Sequence, residues 1–216
     1  MKPPRRNYIV VEGPIGVGKT TLAKRLAATF HSELLLEGAA ENPFLERYYR
    51  NPREAALPTQ LYFLFQRARQ MQGLRQGDIF QPVRIADFLM QKDRLFASLT
   101  LDDEELKLYE QVYNQMTFDA PVPDLVIYLQ APAEILRARI RARGIAYEQL
   151  IEADYLQRVA DAYARFFHYY DASPLLIVNA TEIDPVSSGR DYEALVDRIH
   201  GISSGRHYFN PLPLAL

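Results

Sequence analysis

Residues 13–20 carry the first chemistry: Gly13-Pro14-Ile15-Gly16-Val17-Gly18-Lys19-Thr20 satisfies G-x-x-x-x-G-K-[ST], with Thr21 directly after it. Glycines at these positions let backbone N–H groups turn inward around phosphate oxygens, and a helix that follows points its positive end at them. Lys19 can reach terminal phosphates, and the Thr20 hydroxyl is a hard ligand for Mg²⁺. An ATP- or GTP-type ligand is expected over residues 13–21. What receives the phosphate must be read elsewhere. Glu37 closes the apolar run "SELLLE", where a parallel sheet holds ligand-facing groups at its carboxyl edge. No arginine follows it before Arg47, so its surroundings suit a hydroxyl acceptor better than a second phosphate. A solvated glutamate at a strand end is the plainer alternative.

Other residues fit around such a site. Gln60 and Arg67 are seven apart, hence on one face of one helix. An amide and a guanidinium there, opposed by a carboxylate, supply the mixed donors and acceptors that a heterocycle edge requires. Asp87 follows the run "VRIA", as a Mg²⁺-positioning acid would, and is equally suited to cap a helix. Arg139 and Arg143 flank the Leu136/Ile140 stripe and face the protein body, whereas Arg137 and Arg141 point elsewhere. Compensation of a helix C-terminus is the alternative for all four.

Positioning these groups requires alternating strands and helices. Residues 8–12, 32–37, 83–86, 123–129 and 175–179 read as strands, being short, apolar and bounded by turn residues. Helical spacing marks 20–30, 58–76, 102–116, 133–143, 153–170 and 191–200. In the stripe over 58–76, Leu61, Phe65, Ala68 and Gln72 align, with Leu64, Met71 and Leu74 widening it. Asn42 and Pro43 predict a helix start, Asn51-Pro52 its stop, and Gly144 the end of 133–143. The result is an α/β protein with a parallel sheet covered on both faces. The final stretch, 201–216, breaks all periodicity and reads as an irregular tail, disordered or docked through Tyr208 and Phe209.

Composition narrows the function. The 216 residues suit a single domain with a core over about 8–200. With 25 basic against 27 acidic residues there is no basic excess for wholesale nucleic-acid or anionic-membrane binding. The absence of cysteine excludes disulfides, thiol nucleophiles and thiolate metal sites. No apolar run is long enough to span a bilayer, and a cytoplasmic location is expected.

Ordered motifs make the reading specific. "EGAAENP" from Glu37, Tyr49, "QLYFLFQR" from Gln60, "DFLMQKD" from Asp87 and "RIRARGIAYEQ" from Arg139 resemble the deoxynucleoside kinase family, above all its bacterial deoxyadenosine/deoxyguanosine branch. The similarity runs from about Tyr8 to Asn179. It implies a P-loop fold with five parallel strands in the order 2-3-1-4-5, ATP and Mg²⁺, a homodimer, and transfer of the γ-phosphate to the 5′-hydroxyl of a deoxynucleoside, purines favoured. It further implies that Glu37 takes the hydroxyl proton and that Tyr49 and Glu148 hold the 3′-hydroxyl. Gln60, Arg67 and Asp93 would read the base, Asp87 would help hold Mg²⁺, and Arg139 and Arg143 would belong to a lid over the phosphates. Two positions depart from the pattern. Where the family usually has an acid, arginine and serine, this chain has Asp87-Phe88-Leu89; a lid position often held by arginine is Ile145. Fewer fixed positive charges remain, so another cation, for which a lid arginine is the candidate, must substitute. Two other readings stay open: a weakly active nucleotide-binding or accessory protein, and a P-loop kinase for a different alcohol.

Overall fold

The computed structural model describes residues 6–75, 83–116, 120–181 and 188–210. Gln76 of the expected helix and 211–216 of the expected tail lie outside these residues, as does the side chain of Leu74. Among the described residues six strands form one sheet: β1 (Tyr8–Glu12), β2 (Glu33–Leu35), β3 (Arg84–Ala86), β4 (Leu125–Gln130), β5 (Leu175–Asn179) and β6 (Arg206–Phe209). Their order is β2-β3-β1-β4-β5-β6, and every neighbouring pair is parallel. The helices are α1 (Lys19–Thr29), α2 (Leu45–Arg50), α3 (Pro52–Arg75), α4 (Lys92–Thr100), α5 (Asp103–Met116), α6 (Ala133–Arg143), α7 (Ala153–Tyr169) and α8 (Gly189–His200). The expected order 2-3-1-4-5 is present, with β6 added at its edge.

Alternation along the central strands divides the core. Ile9 and Val11 of β1 and Leu125, Ile127 and Leu129 of β4 face the side packed by Leu22 and Leu26 of α1, Leu136 and Ile140 of α6, and Leu195 and Ile199 of α8. Tyr8, Val10, Val126 and Tyr128 face the other side, against Leu64 of α3, Leu95 of α4, Tyr109 of α5, and Tyr163 and Phe167 of α7. Both faces are covered, which is why these strands are apolar over residues 8–11 and 125–129.

Four expectations need correction. The stretch 201–216 is not irregular throughout, because Arg206–Phe209 pairs with β5 as β6. A short strand in "RHYF" carries too little alternation to stand out, and only the open edge of β5 organises it. Asn42 does not begin a helix: its Oδ1 accepts the Phe44 N–H at 3.0 Å, its Nδ2 donates to the Thr59 carbonyl at 3.2 Å, and α2 starts at Leu45. Pro52 both stops α2 and opens α3, so Pro58 lies inside a helix rather than at its start. Phe65, expected in the buried stripe of α3, is 43% exposed, while Leu64, Ala68 and Met71 are buried.

Candidate active site

The carboxyl ends of β1, β2 and β3 lie side by side, and each runs into a functional segment. β1 leads into the loop 13–18, β2 towards Glu37, and β3 into Asp87. In the loop, Gly13 has φ +150° and a Cβ there would fall 2.4 Å from the Leu129 carbonyl oxygen; Gly16 has φ +84° and its Cβ would meet Ile140 Cγ1 at 2.8 Å. Glycine is thus required by both conformation and the close approach of β4 and α6. Val17 turns its side chain into the core. The half-buried Lys19 ammonium donates to the Pro14 carbonyl at 3.2 Å, across the loop's concavity. Desolvation, helped by the charge of Lys92, lowers its pKa to about 8. Thr20 and Thr21 are exposed at the start of α1.

One carboxylate joins the loop to the acceptor side. Thr20 Oγ1 donates to Asp87 Oδ2 at 2.5 Å, and Asp87 Oδ1 accepts the Glu37 N–H at 2.7 Å. Asp87 is not a helix cap, since α4 begins only at Lys92. The Glu37 side chain meets two cations: it pairs with Arg67, and with Lys92 Nζ at 3.1 Å. Arg67 also pairs with Asp93, and Lys92 Nζ lies 3.1 Å from Glu12 Oε1. Glu12 in turn accepts from the Gly13 N–H at 2.7 Å, the Leu89 N–H at 3.1 Å and the Tyr163 hydroxyl at 3.0 Å. Arg67, Lys92, Asp93 and Glu12 are all buried. Burial lowers the Arg67 pKa to about 10, with nearby acids opposing the shift, so it stays charged at neutral pH. Burial likewise lowers that of Lys92, against the pull of Glu12.

These groups surround an open cleft. Ile15, Gly16, Lys19 and Thr20 line one end, Glu37 and Lys92 the middle, and Gln60, Phe63, Arg67 and Phe96 the far wall. Gln60 Nε2 donates to Thr100 Oγ1 at 3.3 Å, which leaves its carbonyl oxygen free to face a ligand. Tyr49 and Glu148 line the rim; Tyr49 stacks on Tyr147 with ring centroids 6.1 Å apart, and Glu148 pairs with Arg143. Sequence-selected residues from the phosphate loop, α1, α2, α3, α6 and the segments at Glu37 and Glu148 thus converge. Among the residues selected for the acceptor and the lid, two stand back from the wall: Asp93 lies behind Arg67, and Arg139 donates to the carbonyls of Val17 (3.3 Å) and Ala180 (2.7 Å) instead of entering the cleft. Arg137 and Arg141 are exposed, as expected. The cations beside Glu37 are Arg67 and Lys92, while the lid residue Arg143 lines the same cleft.

Sequence reasoning missed Glu12 and Lys92. Glu12 had a readable signal: it ends a fully buried strand on the same face as Val10, where a charge requires partners. Lys92 had none, because a lysine in the first turn of a helix normally points to solvent.

The sequence model of the deoxynucleoside kinase family matches residues 9–203. The chain belongs to the deoxynucleoside kinase family. A deoxyguanosine kinase of Bacillus subtilis is 33% identical over 201 residues, covering 89% of this chain and 95% of the relative. A deoxyadenosine kinase of Lactobacillus acidophilus is 29% identical, covering 83% and 88%. Among solved structures, the deoxyadenosine kinase of M. mycoides with bound dATP superposes with a TM-score of 0.77 at 25% identity, covering 89% of this chain and 98% of that one. The same enzyme with the products dCMP and a flexible dCDP gives 0.78 at 26% identity, covering 90% and 100%. This family member is accordingly an α/β kinase with a parallel sheet, and no described helix is long and apolar enough to cross a membrane.

Proposed function

We propose that this kinase transfers the γ-phosphate of ATP to the 5′-hydroxyl of a deoxynucleoside, with deoxyadenosine and deoxyguanosine as the favoured acceptors. The observation that carries the reading is the position of the Glu37 carboxylate, in one cleft between the phosphate loop and the Gln60–Arg67 wall. The names of the relatives, deoxyguanosine and deoxyadenosine kinases, support the purine preference. Loop backbone N–H groups and Lys19 would hold the triphosphate. Thr20 and Asp87, two hard oxygens 2.5 Å apart at the loop mouth, fit Mg²⁺, which takes few protein ligands and completes its shell with water and phosphate. Bound there, the ion would neutralise charge on the phosphate oxygens. Glu37 accepts the hydroxyl proton as the new O–P bond forms and the bond to ADP breaks. Gln60 and Arg67 read the base edge, with Asp93 holding Arg67. Tyr49 and Glu148 take the 3′-hydroxyl, and Arg143 stabilises the phosphates, while Arg139 braces the phosphate loop through the Val17 carbonyl. Because the transition state is loose, positioning and charge do most of the work. The proposal includes a cytoplasmic homodimer, for which exposed Phe65 and Leu108, 43% and 48% accessible, offer apolar surface.

The test is a product assay with Mg²⁺·ATP and, separately, deoxyadenosine, deoxyguanosine, deoxycytidine and thymidine. Purine monophosphates should form fastest. Glu37→Gln should lose at least about 10²-fold in kcat with ATP affinity little changed. Unchanged turnover would remove Glu37 as the base, and no product from any acceptor would sink the reading.

A further inference from the structure

Lys92 occupies an expensive position. It is 2% exposed, and it lies in the first turn of α4, where the helix dipole disfavours a cation. Burying an ammonium costs several kcal/mol even after relaxation. What offsets this is the placement of Nζ 3.1 Å from Glu12 and 3.1 Å from Glu37. Folding alone does not call for the charges, since a buried ion pair replaced by apolar groups of similar volume is often neutral or stabilising. Glu37, however, must be ionised and aimed to accept a proton. Phe88 cannot help, being fully buried in the apolar layer on the α7 side of the sheet. Arg67, the other cation on Glu37, is shared with Asp93.

We propose that Lys92 is a positioning residue for phosphoryl transfer: bridging Glu12 and Glu37, it supplies the fixed positive charge that the triplet Asp87-Phe88-Leu89 lacks and holds the Glu37 carboxylate aimed at the acceptor hydroxyl. The link also has reach. Glu12 grips the Gly13 N–H, so Lys92 connects the root of the phosphate loop to the proton acceptor and fixes their separation. The charged groups around the ammonium are Glu12 on β1, Glu37 after β2, Asp87 after β3, Arg67 on α3 and Lys19 on α1, with Tyr163 of α7 reaching it through Glu12. With Lys92 removed, Arg67, shared with Asp93, is the remaining cation on Glu37, and the link from that carboxylate to Glu12 is lost.

This inference rests on the kinase reading above, and the experiment separates the two. Wild type, Lys92→Arg, Lys92→Met and the double variant Glu12→Gln/Lys92→Met are compared by kcat and KM, measured separately, and by thermal midpoint. Lys92→Met should lose about 10²-fold in kcat with KM little changed. It should also melt lower, with Glu12 left buried without a counter-charge. The double variant removes that charge, so its midpoint should recover while kcat stays low; it carries the measurement if Lys92→Met does not fold. Lys92→Arg should retain most of the wild-type kcat. A double variant that turns over like wild type would overturn the inference alone. A wild-type protein that phosphorylates none of the four acceptors would overturn it together with the kinase reading.

Discussion

At the scale of single residues, charge state governs what the cleft can bind. Lys19 is an ammonium whose pKa burial brings down to about 8, so it is charged below that pH and increasingly neutral above it. Phosphate binding favours the charged form, so the sign is fixed: Mg²⁺·ATP affinity should fall as pH rises, about tenfold for each unit beyond 8. Calorimetric titration from pH 7 to 9.5 measures this. Lys19→Ala should bind weakly at every pH and lose the slope. Affinity in the wild type that does not change over this range would mean that Lys19 does not titrate there.

At the scale of elements, two features show how local rules are overridden. Pro58 within α3 leaves the Glu54 carbonyl without its usual N–H donor, and the Arg47 guanidinium supplies one from α2 at 3.5 Å. The helix therefore runs on, and Gln60 and Arg67 stay on one continuous face. At the other end of the sheet, β6 closes the edge of β5, and Phe209 packs against the layer that holds α8. Deleting residues 206–216 should cost about 2 kcal/mol and lower the thermal midpoint by roughly 4–8 °C, with turnover retained at low temperature because the cleft lies beyond β1. Circular dichroism of the truncated chain tests it; an unaltered midpoint would show that the edge strand adds nothing.

At the scale of the whole molecule, the sheet is a partition and Glu12 is where its layers meet the chemistry. From β1 it accepts a hydrogen bond from Tyr163 on α7, pairs with Lys92 on α4 and holds the start of the phosphate loop. The Tyr163 ring stacks with Tyr128 at 6.2 Å, so Tyr163→Phe keeps the packing and removes only the donor. A bond to a buried carboxylate is worth about 1.5–3 kcal/mol, and denaturant unfolding should report a loss of that order without a change in m-value. An unchanged midpoint would place Glu12's support in its other partners.

The phosphate loop, the layered α/β class, and the group Glu37, Gln60, Arg67 and Asp87 were all legible in the sequence, because each depends on local spacing. Glycine at positions with positive φ, period-two strands and period-3.6 helices are properties of neighbouring residues and need no knowledge of the rest of the chain. The tertiary structure alone decided what depends on distant partners. Arg206–Phe209 became a strand because β5 offered an open edge, and Arg139 sat on the carbonyls of Val17 and Ala180 rather than in the cleft. Lys92, which local rules send to solvent, was drawn inside by two carboxylates, one on β1 and one after β2. Long-range electrostatics overrides local preference there, since a buried charge is tolerable only where the fold brings its counter-charges to it.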